Sequence, residues 1–389
     1  MVCGDDCGDI RFPFTIYKRM TIFMKKTRLI SSLCVAALGL SVLAGCNSSS
    51  SNTGNKSEKT SSIATQSDTK GESSGAVMTV GEYEIGKDEL MLYSILEILS
   101  GTVQYEEIQK DEDKYKQVVI DNIVETKMAG DAAKDAGMEF TEDDENTRDS
   151  LIKNFTTYVP KSVREKYGIS DELIDSVFND TSIMNKIETN TRNELGKKLT
   201  ADLKEQYKDY NFQKIYYITF PKVKADDDGN PMTDDNGNYV KLDDKELADM
   251  KSKAEAAVKE INAGADAEET AKKYGVDAYS EEKQSYVGGY ADDMNEVMDK
   301  LAAGQCTEVY EAETAYYAIA VLSDHDSDLL DSFAYQSAEA QVDTELEKTK
   351  QQWIDSCDDK GGIVYKDDTW KNFSFLDMAT DLNDQGLMK

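Results

Sequence analysis

The chain has 389 residues, enough for about two or three globular units, with 44 basic and 76 acidic side chains and a net charge of −32. That balance excludes a nucleic-acid binder, which needs a Lys/Arg surface against phosphate; attraction to basic or weakly structured polypeptides stays open beside a plainly solvated acidic surface. Only four prolines point to helix-rich architecture, and six cysteines without a CxxC pair or a Cys/His cluster speak against structural zinc.

The first feature along the chain is an address. Lys25, Lys26 and Arg28 form a basic start, and Leu29–Leu43 is an apolar run too short for a comfortable membrane span. It ends at Leu43-Ala44-Gly45-Cys46, which resembles the lipobox of bacterial lipoproteins. The resemblance implies cleavage before Cys46 and lipid on its thiol. The chain would then be extracytoplasmic, lipid-anchored to the outer face of the cytoplasmic membrane. An ordinary signal peptide with an incidental cysteine is the alternative. Residues 1–23 lie where a basic start should be short, so Met24 is the expected translation start and 1–45 the signal region; a longer signal is the alternative. Residues 46–76 carry the cysteine and a Ser/Thr/Asn/Gly-rich tract. It cannot bury enough surface to offset chain entropy and should be a flexible tether. Of the cysteines, Cys306 and Cys357 then remain as free thiols of the mature chain, and the compartment allows a disulfide between them.

Val77–Ile85 reads as a short strand and turn, and Lys87–Ser100 as a helix. In Lys116–Ala136, Val119, Ile120, Ile123, Val124, Met128 and Ala132 share one helical face, and Gly137 is the stop. Thr141 is an N-cap with acidic residues in the turn that follows. Ser170 caps another helix carrying Leu173, Ile174, Val177 and Phe178, and Leu195, Leu199 and Leu203 extend a stripe toward Tyr207.

The pattern then changes. Phe212–Phe220, FQKIYYITF, is strand-like in composition. Residues 224–244 form a polar excursion with two Gly-Asn pairs, expected as a hairpin-like loop. Its acidic cluster invites a calcium reading but misses EF-hand spacing: Lys224 or Met232 would fall at the first ligand position, so a solvated loop is favoured over a weak cation site. An amphipathic helix with Leu247, Met250, Ala254, Val258 and Ile261 ends at Gly264, and a shorter one holds Ala267, Ala271 and Tyr274. A short helix follows up to Ala303, then the strand TAYYAIAV up to Val321, giving the order β, α, α, α, β. Asp331–Cys357 is a long helix, and Ile363–Tyr365 a strand-like end.

Taken in this order, residues 211–323 resemble a parvulin-type peptidyl-prolyl isomerase domain. NAGADAEETAKKYGVDAYS (262–280) looks like that family's helical segment, Gly288-Gly289 like its paired glycines, and Gly304–Val321 aligns without a gap to its closing strand. The flanking segments VIDNIVETKMAGDAAKDAGMEFTEDD and ELEKTKQQWIDSC with GGIVYKDDTW are similar to the helical region of secreted foldases of the PrsA and SurA kind. The likeness covers most of 77–370. It implies an α+β fold: a helical chaperone-like domain (77–209 and 326–389) with an inserted small parvulin-like α/β domain (210–325).

The chemistry implied is modest. An X–Pro amide rotates over a barrier of about 18–20 kcal/mol, and no bond breaks. A site must grip the proline in an apolar pocket and favour the twisted amide with polar groups. The family uses two histidines, a Cys or Asp between them, and a Met/Phe pocket. Carried over by resemblance, the histidine positions fall at Tyr217 and Tyr317 and the acid at Asp277. The pocket segment before Gly304 is shortened, with Met294 and Met298 as its remnants, and Tyr290-Ala291-Asp292 replaces the family's turn. Two tyrosines and an acid can keep a polar cluster; they can equally be strand aromatics in a core. His325, the single histidine, falls in a loop, and nothing supports a hydrolytic triad.

The resemblance therefore implies a membrane-anchored foldase that acts on unfolded or partly folded secreted polypeptides, without metal or cofactor, and leaves a homodimer open. A non-catalytic holdase is the alternative. A solute- or cell-wall-binding lipoprotein is a weaker one, since alternating β/α units are absent.

Overall fold

The computed structural model describes residues 61–62, 75–101, 105–226, 230–275, 281–286, 292–366 and 374–387. The elements, in chain order, are β1 (Ser61–Ser62), β2 (Met78–Val80), β3 (Tyr83–Ile85), α1 (Lys87–Leu99), α2 (Tyr105–Lys110), α3 (Glu112–Asp135), β4 (Glu139–Phe140), α4 (Glu142–Tyr158), α5 (Lys161–Lys166), α6 (Asp171–Tyr207), β5 (Phe212–Pro221), α7 (Asp244–Asn262), α8 (Ala267–Lys273), β6 (Glu281–Tyr286), α9 (Asp292–Met298), β7 (Tyr310–Glu311), β8 (Ala315–Ser323), α10 (Ser327–Asp359), β9 (Ile363–Tyr365) and α11 (Phe375–Asp384). Helices predominate over small antiparallel sheets, an α+β fold. The described residues form two compact units. A sheet unit holds Gly196–Ala340, and a helical unit holds those up to Leu195 together with those from Gln341 onward.

In the sheet unit four strands run in the order β6-β5-β8-β7, all antiparallel. The period-two alternation of a strand divides the residues of β5 and β8 between two faces. One face sets Ile218, Phe220, Tyr316, Ala318 and Ala320 against Ala254, Ala257, Ile261 and Ala271 of α7 and α8. Small alanines on both sides let those helices lie close to the sheet. Asp243 caps α7 in a reciprocal box with Glu246. Asn262 at its other end donates to the Cys306 carbonyl (3.1 Å) and accepts from the Cys306 amide (2.9 Å). The polar excursion folds back on itself through Val223–Lys241, Ala225–Pro231 and Thr233–Tyr239 bridges.

The expected order β, α, α, α, β is incomplete. β6 and β7 were not legible as strands. β6 reads EEKQSY, with no apolar alternation; it is an edge strand, held by its ladder to β5 from Phe212–Tyr286 to Tyr217–Glu281.

In the helical unit α3 is fixed locally. Asp111 accepts from the Lys114 amide at its start, and at its end Gly137 takes φ +62° while the Met138 amide returns to Ala133 at 3.0 Å. Thr141 and Asp144 form the capping box of α4. Ser170 accepts from Leu173, and α6 then runs unbroken for 37 residues. The core joins Met78, Ile85, Leu90, Leu92, Ile95, Ile120, Ile123, Ile174 and Val177 to Met378 and Leu382 of α11. α2, α5 and α11 were not anticipated. β9 returns to pair with β2, so the sheet β3-β2-β9 joins segments some 280 residues apart, as in the Met78–Tyr365 pairing. At the β2–β3 turn Gly81 (φ +56°) lies against the turn that follows α10; a Cβ there would stand 3.3 Å from that of Lys360.

Cys306 and Cys357 are both free and buried, one in each unit, so the disulfide allowed by the sequence does not form. Among the described residues no helix is long and apolar enough to cross a membrane.

Candidate functional site

The second face of the sheet carries the residues singled out by the sequence. Thr219 pairs with Tyr317 and Tyr217 with Ile319, so Tyr217 and Tyr317 are diagonal neighbours across the β5–β8 ladder. On a twisted antiparallel pair such diagonals are within reach of aromatic rings. The two rings meet edge to face, centroids 6.0 Å apart and planes at 88°, an arrangement suited to the ring quadrupoles. Met294 (7% exposed) and Met298 (fully buried) of α9 pack with Ile215, Tyr217, Ile319 and Val321, and Leu301, Tyr310 and Tyr317 border the cluster. Gln213, itself buried, donates from Nε2 to the Met298 carbonyl at 2.9 Å and fastens the end of α9 to β5. Thr307 Oγ1 accepts from the Ile319 amide at 3.2 Å.

Four of the five expected site residues, Tyr217, Tyr317, Met294 and Met298, are thus drawn into one cluster. Asp277 lies outside the described residues, as do Gly288-Gly289, Tyr290-Ala291 and the lipobox-like segment with Cys46. The electrostatics are those of a mostly apolar layer. Burial raises the Tyr317 phenol above its ordinary acidity range, with the Thr314 side chain acting in the opposite sense. The Lys283 ammonium lies 5.4 Å from the Tyr217 ring centroid, a cation–π distance. A phenol can donate one hydrogen bond and accept others; neither tyrosine is an imidazole that takes up a proton near neutrality.

His325 sits in the bend between β8 and α10 with φ +46°, its amide donating to Asn211 at 2.7 Å. Burial pushes the Cys306 thiol up to about 12, so it stays protonated. Among the described residues no group of three or more His, Cys, Asp or Glu side chains is placed to hold a metal ion.

The sequence matches no family model and no curated protein. Solved structures do match. The foldase PrsA of Lactococcus lactis is 14% identical, over 81% of this chain and all of that one, with a TM-score of 0.28. The peptidylprolyl isomerase PrsA of Bacillus cereus is 17% identical over 69% of this chain and 94% of that one, also at 0.28. A SurA-like chaperone of Campylobacter jejuni is 10% identical over 75% of this chain and all of that one, at 0.21. The chain is similar to the PrsA foldases.

The helical unit adds a feature that the sequence did not signal. Ile152 and Thr156 of α4, Arg164 of α5, and Asp171 and Ile174 of α6 line an open cleft of about 310 Å³. Arg164 donates to Asp171 at 2.6 Å. Short α5, not anticipated from the sequence, supplies the arginine, and its six residues are too few for periodicity to reveal the cleft.

Proposed function

We propose that this chain is an extracytoplasmic chaperone of the foldase type, tethered to the membrane through lipid on Cys46, that holds unfolded or partly folded secreted polypeptides. In this reading the helical region expected from the sequence (77–209 and 326–389) carries the chaperone role and the inserted segment 210–325 is a parvulin-like scaffold. The observation that carries it is the state of the Tyr217–Tyr317 face. At the positions that the resemblance assigns to the family's histidines two phenols stand in edge contact, and Met294 and Met298, which it assigns to the pocket, are packed in the same cluster with little exposure. An X–Pro substrate needs an open apolar grip and polar groups aimed at the twisted amide; in the described part of this face the methionines are packed against the sheet instead of standing open to a proline ring.

A soluble form starting at Asn47 tests it. It is expected to suppress aggregation of an unfolded client and to leave proline-limited refolding unaccelerated. Acceleration that drops in Asp277→Ala and Tyr317→Phe variants would instead make Tyr217, Asp277 and Tyr317 an active isomerase site with Met294 and Met298 as its pocket.

A further inference from the structure

The helical unit contains a charge cluster that the proposed function does not use. Lys350 of α10 places its Nζ 2.6 Å from Glu125 Oε1 of α3 and 2.8 Å from Glu188 Oε1 of α6. All three side chains are buried, at 5%, 3% and 10% exposure. Glu347, also on α10, lies 3.7 Å from the same ammonium but is largely in solvent. The site therefore holds two enclosed carboxylates against one cation. Both carboxylate oxygens lie no farther apart than the sum of their distances to the ammonium. Yet neither has a partner in good hydrogen-bond geometry. Two like charges held this close inside a protein do not both stay ionised easily, and a half-satisfied buried network is costly.

We infer that Glu125, Glu188 and Lys350 form a proton-linked clamp that fastens the C-terminal part of α10 to α3 and α6, and that it is tighter with one proton bound than with none. One added proton leaves a single carboxylate opposite a single ammonium, makes the enclosed charge neutral, and supplies an O–H donor for the second carboxylate. Titratable groups facing the site are Glu125 from α3, Glu188 from α6, and Lys350 and Glu347 from α10. Burial first, then Glu188 and Glu347, raise the Glu125 carboxyl to about 7, against the pull of Lys350. Burial lowers the affinity of Lys350 for its proton, but the two glutamates outweigh this and keep it charged well beyond this range.

The sign follows from linkage. Glu125 binds its proton more tightly folded than unfolded. Its contribution to stability is full below the ordinary glutamate value, and is lost as pH rises from about 4.5 to about 7. In that window the ratio of unfolded to folded chain rises by up to about tenfold per pH unit from this group alone.

The test is urea unfolding of the full soluble chain from pH 5 to pH 8, beside Glu125→Gln. Gln mimics the protonated acid, so the variant should lose this slope and overtake the wild type above pH 7. Parallel stability curves for the two proteins would overturn the proposal. If Glu125→Gln does not fold, Glu188→Gln serves in its place, and a carbon-13 carboxyl titration of the wild type decides directly. A Glu125 midpoint near 7 supports the clamp; a midpoint below 5 overturns it. Hydrogen exchange of residues 341–357 should quicken from pH 6 to pH 8, after correction for intrinsic rates, in the wild type but not in the glutamine variant.

Discussion

Lys127 lies where α1, α3 and α6 meet, 2.7 Å from Asp180 and 2.9 Å from Glu89. Burial lowers its hold on the proton; Asp180, Tyr93 and Glu89 outweigh that and keep it charged. Lys127→Met removes the cation and leaves two enclosed carboxylates. The expected loss is about 3–5 kcal/mol, read as a lower urea midpoint; a loss under about 1 kcal/mol would mean that the pair is effectively solvated. Cys306 gives a second prediction at this scale. With its thiol buried and raised to about 12, it should resist a thiol reagent at pH 8 in the native protein and react once urea unfolds the sheet unit. Rapid native labelling would contradict its placement beside α7. Tyr217, Tyr317, Met294 and Met298 were named from the sequence only through the resemblance to the parvulin family; the strand composition of Phe212–Phe220 and of the segment ending at Val321 supplied the frame. The ion clusters around Lys127 and Lys350 were not legible in the sequence. Their partners come from helices far apart in the chain, and no local spacing encodes such a meeting.

At the scale of elements, local chemistry was the most legible. The Thr141 cap, the Gly137 stop and the two aromatic-rich central strands all stand where propensity and pattern put them. Thr141→Ala should cost about 1 kcal/mol, measurable as a modest shift in the unfolding of the helical unit. Met298→Ala removes a fully buried side chain against Ile215 and Ile319. A loss of about 2–5 kcal/mol is expected, with the higher end if α9 cannot settle into the space. A near-neutral result would mean that α9 is not packed on this face. The edge strand β6 and the short helices α2 and α5 escaped the sequence because their residues carry little periodicity. Their structure is imposed by neighbours: the β5 ladder for β6, and for α2 the packing of Ile108 into the helical core.

The molecule as a whole carries 76 acidic side chains against 44 basic ones. Such an excess destabilises a compact state by self-repulsion, and salt screens it over about 8 Å at physiological strength. Stability should therefore rise as salt is increased from low to moderate concentration, with the clamp and the Lys127 site barely affected, since enclosed pairs are poorly screened. A flat or falling response would show that surface pairs such as Lys204–Asp331 already balance the repulsion.

The pairing of β9 with β2 sets an order of events for a chain that emerges from its N-terminus. Among the described residues the sheet unit is one contiguous run, Gly196–Ala340, and can close as soon as Ala340 is out. The helical unit cannot. Its central strand waits for Ile363–Tyr365, and its core for Phe375–Leu382. Until those last residues arrive, α1 and α3 hold apolar surface with nothing to cover it. In its own biogenesis the molecule is for a time a partly folded polypeptide, with an apolar face of the kind a chaperone takes as client.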